Sequence, residues 1–283
     1  NPIERTIAGD SINYTNITIE IDRATRTANI NILAPTTAPP ADADGIHALG
    51  DQFWSLRMAR ELDDAILHLR TNENEIGTWL FQTSGDAALV AAHDATLAAN
   101  QGHWLVREIT LFLKRVFKRI DVTSRSIFAI IEPASCFTGT LLELALAADR
   151  SYMLDGQFEG DNRPVAMISL TAMNFGPYEM VNGLTRLQSR YLNDPATVEA
   201  LRKRQGEAMD ALTAEEAGLI TFAPDDIDWE DEVRIAVEER AAFSPDALTG
   251  MEANLRFGGQ ETMESKIFSR LSAWQNWIFQ RPN

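Results

Sequence analysis

The segment from 126 to 153 constrains the fold more than any other part of the chain. It contains IFAII at 127–131, five apolar positions with no polar residue on either side of the pleat. A strand of that kind is stable only where both faces of a sheet are covered, as in a parallel sheet flanked by helices. The strand runs into a turn with Pro133, Ser135 and Gly139, which opens a helix expected over 138–149 and then a short strand at 152–154. Backbone N–H groups at a helix start lack intrahelical acceptors and can hold an anion, a developing oxyanion included.

The surrounding pattern agrees with an α/β chain. Residues 17–21 (ITIEI) and 28–33 (ANINIL) alternate apolar and polar with period two, which predicts an antiparallel hairpin with one buried face. A proline-rich loop spans 35–44. Trp54, Met58, Leu62, Ile66 and Leu69 then recur at helical spacing, with Asp51 as the candidate cap. A strand is predicted at 77–82, and a second amphipathic helix at 101–120, buried through Trp104, Ile109, Leu113, Val116, Phe117 and Ile120. Strands alternating with helices call for right-handed crossovers. Beyond Thr185 the chain turns helical and charged, so the expected organisation is an α/β core at 1–184 and a helical region at 185–283.

Charge narrows the partners. With 25 Lys and Arg against 41 Asp and Glu, the net charge is −16, which repels nucleic-acid backbones. The exception is Lys114, Arg115, Lys118 and Arg119, either a solvated helix face or a contact for an anionic cofactor or partner. No apolar run approaches the roughly 18 residues of a membrane span, so no membrane partner is expected. The one cysteine, Cys136, excludes an internal disulfide and fits a reducing, cytoplasmic setting. Just after a buried strand, it reads as a small core residue or as a reactive thiol. The four histidines show no metal-helix spacing, and His93-Asp94 alone is no metal motif, so no metal is expected.

Glu143 allows two readings. It falls in the first turn of the helix that follows Gly139, close to the free amides, where a carboxylate could move protons. Thr140-x-x-Glu143 also matches a capping box, in which both side chains only satisfy helix-end donors.

The order of strand, Gly139 turn and ELALAAD at 143–149 resembles the crotonase (enoyl-CoA hydratase/isomerase) superfamily. ALTAEEAGLI at 211–220 and SPDAL at 244–248 resemble segments of that family's C-terminal helices, and the likeness runs from about residue 14 to 275. Within the superfamily, HDATL at 93–97, REITLFLKR at 107–115 and IEPASCF at 131–137 look like the benzoyl-CoA-dihydrodiol lyases. Those enzymes open the ring of epoxidised benzoyl-CoA, giving formate and an aliphatic semialdehyde thioester, and they are long. Together with a start at Asn1 in place of Met, this led us to expect the C-terminal half of such a lyase.

The resemblance implies a ββα spiral core, an acyl-CoA substrate and no separate cofactor. It implies an oxyanion hole from the backbone amides of Leu89 or Val90 and of Thr140. It makes Glu143 the first catalytic carboxylate and Asp161, with Glu159 behind it, the second. The family's turn usually carries consecutive glycines where this chain has only Gly139 before Thr140, and its proline–glutamate pattern is absent around Asp161. These departures leave a second expectation open, a structural and dimerisation domain of a longer enzyme. The apolar stripe Ile267, Leu271, Trp274, Trp277 and Ile278, with Phe268 and Phe279 beside it, is expected either to pack on this chain's own core or to be covered by a partner subunit or the other half.

Overall fold

The computed structural model describes residues 1–257, 259 and 261–280, and its frame is one seven-stranded sheet. The strands are β1 (Thr6–Ala8), β2 (Ser11–Asn13), β3 (Ile17–Asp22), β4 (Thr27–Leu33), β5 (Thr78–Ser84), β6 (Ser126–Ile131) and β7 (Arg150–Met153), and they lie side by side in chain order. β1 to β4 form an antiparallel meander, and β4 to β7 are mutually parallel. The hairpin holds the register its periodicity calls for: Ile17, Ile19 and Ile21 pair with Ile32, Ile30 and Ala28, and all six are buried. A slip of one residue would expose all of them, which fixes the pairing.

Each parallel step needs a crossover. From β4 to β5 the chain passes through α1 (Ala43–Leu49) and α2 (Trp54–Asn72). From β5 to β6 it passes through α3 (Ala87–Ala99) and α4 (Trp104–Asp121), and from β6 to β7 through α5 (Leu142–Ala147). α2 and α4 lay their apolar stripes on the sheet face that carries Ile30, Phe81 and Ala129. The opposite face is apolar only around β6 and β7, where Phe128, Ile130, Tyr152 and Leu154 meet Trp229, Ala236 and Val237 of α9 (Trp229–Ala242). That cover explains the unbroken apolar run at 127–131.

The structure corrects several details. α5 is six residues long and ends at Ala147, because Ala148 turns extended (ψ 149°) so that Asp149 can accept the Ile127 N–H at 2.7 Å. Trp104 is 60% exposed, since it opens α4 ahead of the buried stripe that begins at Val106. Asp51 sits in the turn Gly50–Gln52 beside Arg60, and α2 starts from Phe53 without a side-chain cap. Two of the four cations of α4 pair within this chain, Lys114 with Glu179 at 2.8 Å and Arg119 with Asp63 at 2.7 Å, while Arg115 is exposed. Cys136 is a core residue, its thiol pushed up to about 11 by burial.

After α6 (Arg186–Arg190), α7 (Pro195–Arg202) and α8 (Ala211–Glu216), the chain continues from α9 through α10 (Pro245–Leu255) to α11 (Met263–Lys266) and α12 (Ser272–Ile278). One side chain holds α10 in place. Arg256, just past its end, donates to the carbonyls of Ile120, Asp121 and Thr123 at the C-terminus of α4, at 3.3, 3.3 and 2.7 Å. It also pairs with Asp149 at 2.9 Å and Glu252 at 2.6 Å. The apolar stripe of the last helices does not enter the core: Phe268 and Phe279 are each 78% exposed, while Trp274 packs on Gly250 and Trp277. Replacing Arg256 by Ala leaves two half-buried carboxyl groups and three carbonyls without this donor. The expected loss is about 3 kcal/mol or more in urea unfolding, with earlier protease cleavage in 245–278.

Candidate active site

The turn after β6 is built to aim one amide. Glu132 N–H donates to the Ser135 hydroxyl at 3.0 Å and Cys136 N–H to the Thr83 hydroxyl at 2.8 Å, which fastens the turn to the neighbouring strand. Gly139 has φ +48°, and a Cβ there would collide with Asp94 and press on the Thr171 hydroxyl. The next N–H, that of Thr140, is the one expected to serve an oxyanion.

That amide already has an anion. Thr140 N–H donates to Asp94 Oδ2 at 2.8 Å, the Thr140 hydroxyl donates to Asp94 Oδ1, and the Thr171 hydroxyl reaches Oδ2 at 2.7 Å. Asp94 comes from the middle of α3 and is completely buried with Thr140. The Tyr178 hydroxyl lies 3.0 Å from the Thr140 hydroxyl. The carboxylate therefore occupies the space in front of the amide that a thioester oxygen would need. His93 faces away, stacked on Phe53 at 5.3 Å with its Nε2 3.3 Å from the Thr37 carbonyl.

Glu143 does not cap its own helix. The capping box is absent, because the Thr140 hydroxyl goes to Asp94 and α5 begins from Leu141 with no side-chain cap. The Glu143 carboxylate is buried against Arg186, at 2.6 Å, and accepts from the Asn174 amide at 2.7 Å. Asn174 also donates to the Gly139 carbonyl at 2.8 Å, linking Glu143 back to the turn. Arg186 grips Asp121 with its second nitrogen at 2.7 Å and lies 5.5 Å from the Phe117 ring.

Two buried carboxylates, Glu143 and Asp121, thus share one buried guanidinium, and a third, Asp94, lies near Glu143 without a cation of its own. Burial raises all three above the ordinary carboxylate range, and Arg186 opposes this at Glu143 and Asp121. Asp94 has hydroxyl and amide donors but no cation, and burial followed by the nearby Glu143 charge leaves it at about 6.

Leu89 and Val90 stand in the first turn of α3, and Val90 N–H is turned to the Asp86 carbonyl at 3.4 Å. Asp161 forms a bidentate pair with Arg163 at 2.6 and 2.9 Å, which lowers its pKa, and Glu159 is exposed. Arg163 borders a groove with Glu20 and Asn31 on the outer face of the sheet, and Asp161 shares no hydrogen-bond partner with Glu143. Sequence reading missed Asp94 as a ligand of the turn, and also Asn174, Arg186 and Asp121. The available signal was the lone Asp in the apolar α3 sequence AALVAAHDATLAA.

Comparison with known proteins gives the class first. The chain has the fold of the enoyl-CoA hydratases. It superposes on an enoyl-CoA hydratase of Bacillus anthracis with a TM-score of 0.62 and 17% identity, over 94% of this chain and 92% of that one. An enoyl-CoA hydratase/isomerase of Marinobacter aquaeolei gives a TM-score of 0.62 and 17% identity over the same shares. At the level of sequence the chain is 53% identical over 281 residues to benzoyl-CoA-dihydrodiol lyase of Aromatoleum evansii, covering 99% of this chain. It spans about half that relative's length, 50%. The crotonase-like α/β fold and the likeness to this lyase, both expected from the sequence, are borne out. No protein-family model matches the chain. Among the described residues no helix is long and apolar enough to cross a membrane.

The raised Asp94 pKa has a measurable sign. The folded state holds the Asp94 proton up to about pH 6, against an ordinary value of 3.8, so its contribution to stability is present at pH 4 and is lost as pH rises through 6. Asp94→Asn removes the ionisation. Relative to the wild type, the variant should gain about 2 kcal/mol between pH 4 and pH 7 in urea unfolding. An equal difference at both pH values would contradict the assignment.

Proposed function

We propose that the chain functions within a carbon–carbon lyase that opens the ring of epoxidised, dihydrodiol-level benzoyl-CoA. The products of that reaction are an aliphatic semialdehyde thioester and formate, as in aerobic benzoate degradation. The observation that carries this reading is the 53% identity to benzoyl-CoA-dihydrodiol lyase over nearly the whole chain, on a fold shared with enoyl-CoA hydratases. The substrate is an acyl-CoA, and the reaction needs no cofactor beyond the CoA it carries. Partners under this reading are the remaining part of the same lyase and a second copy of it, in the cytoplasm.

Were this chain to run the chemistry, the amides of Thr140 and of Leu89 or Val90 would hold the thioester oxygen as charge develops. Glu143, with Asp161 or Glu159, would deliver water and move protons. Each role carries a requirement in this conformation. Asp94 must leave the Thr140 amide, Glu143 must leave Arg186, and Asp161 must leave Arg163.

One observation favours a second reading of how the chain serves the lyase. The Asp94 carboxylate, held by an amide and two hydroxyls, closes the Thr140 position with a group of this chain's own. On that reading this half supports and assembles the enzyme, and the reacting groups lie outside these residues.

Calorimetric titration with benzoyl-CoA, with free CoA as the control, separates the two. A closed Thr140 position predicts equal, weak heats from both compounds. Micromolar binding that requires the benzoyl group would place a thioester pocket in this chain. In the full lyase, Glu143→Gln should then abolish turnover, and wild-type turnover would exclude Glu143 from the chemistry.

A further inference from the structure

The chain is acidic, with 41 carboxylate residues against 25 Lys and Arg, so an arginine inside a cavity has many possible partners. A cavity of about 340 Å³ nevertheless lies where the C-terminal end of α5 meets α6, α9 and α10, and four arginines line it. Its size is at the lower end of the roughly 300–1,000 Å³ typical of small-molecule sites.

The carboxylates in its wall are already committed. Asp121 is held by Arg186, whose other nitrogen pairs with Glu143. Asp149 and Glu252 are both held by Arg256. Glu252 is pushed up to about 8 by burial and by the adjacent Asp149, while Arg256 and, more weakly, Arg240 oppose that shift.

Arg190 and Arg240 remain. Among the described residues neither has a carboxylate within ion-pairing distance of 4.0 Å. Arg190 donates one nitrogen to the Gly218 carbonyl at 2.8 Å, and burial pushes its pKa down, the signature of a guanidinium enclosed without a counter-charge. Arg240 lies 5.7 Å from the Phe128 ring. A partly enclosed guanidinium without an anion is costly, and two of them facing one cavity make it locally positive within a strongly negative chain.

We infer that this cavity is a binding site for a phosphate group, free or carried on a small organic molecule, clasped by Arg190 and Arg240. Two guanidinium forks present donors that match tetrahedral oxyanions, and two positive charges suit a dianion better than a monoanion. Leu146 and Met180 give the same cavity an apolar wall, so a small organic phosphate has contacts that the inorganic ion lacks. The site is separate from the Asp94–Thr140 turn, and the inference does not depend on the reading of function above.

Thermal unfolding and calorimetry of the chain at pH 7 test this, with ionic strength held constant by chloride and with inorganic phosphate, glycerol 3-phosphate and benzoate as probes. The expected result is saturable binding of both phosphates, tighter for glycerol 3-phosphate, with a matching rise in Tm and a weaker response to benzoate. Arg240→Gln should weaken phosphate binding tenfold or more while leaving the unliganded Tm near that of the wild type. Arg190→Gln should weaken it equally, with some loss of Tm because the Gly218 carbonyl loses its donor. Absence of saturable phosphate binding would overturn the inference, as would affinities unchanged in both variants. Benzoate binding tighter than either phosphate and lost in the variants would overturn the assignment of ligand class.

Discussion

Arg186 is a buried guanidinium placed where three segments meet. Through Asp121 it holds the end of α4, through Glu143 the start of α5, and its own backbone opens α6. Water cannot take over any of these contacts, so the packing of the crossovers around β6 depends on them. Such a pair adds little net stability over an apolar replacement, yet removing one member typically costs about 3–5 kcal/mol, because the survivor is left charged and buried. The arrangement therefore fixes geometry more than it adds stability. The geometry it fixes is that of the turn after β6, since Asn174 links Glu143 to the Gly139 carbonyl.

On that rigid turn the Thr140 amide meets Asp94. A backbone amide left free at such a turn could stabilise charge that develops on a bound molecule. Here the charge is supplied from within. The hydroxyls of Thr140 and Thr171 complete the coordination, and Gly139 leaves room only for this carboxylate. A β-branched residue in place of a glycine contributes a second donor to the same anion. Similarity to a lyase and a closed amide are compatible in a chain that spans half the length of its relative.

The sequence made the scaffold legible where periodicity is unambiguous. ITIEI and ANINIL could form only one buried face, and IFAII demanded cover on both. It misled where a local pattern met a tertiary demand. Nothing in ELALAAD announces that Asp149 leaves the helix to cap β6, and Thr140-x-x-Glu143 looks like a capping box until Asp94 takes the hydroxyl. The partners of the site are 31 to 77 residues apart in the chain, too far for any spacing rule to connect them. Trp104 and the aromatic last helices show the same limit, because helical spacing identifies a stripe but not what lies opposite it.

The Asp94 carboxyl holds the Thr140 amide, and a thioester oxygen would have to displace it to reach that amide. The most direct test is the Thr140 amide-proton resonance followed from pH 4 to pH 8, with and without benzoyl-CoA. The expected result is a shift with a midpoint near 6, reporting ionisation of the group the amide touches, and the same curve when the thioester is present. A resonance that ignores pH, or one that moves when benzoyl-CoA is added, would contradict it.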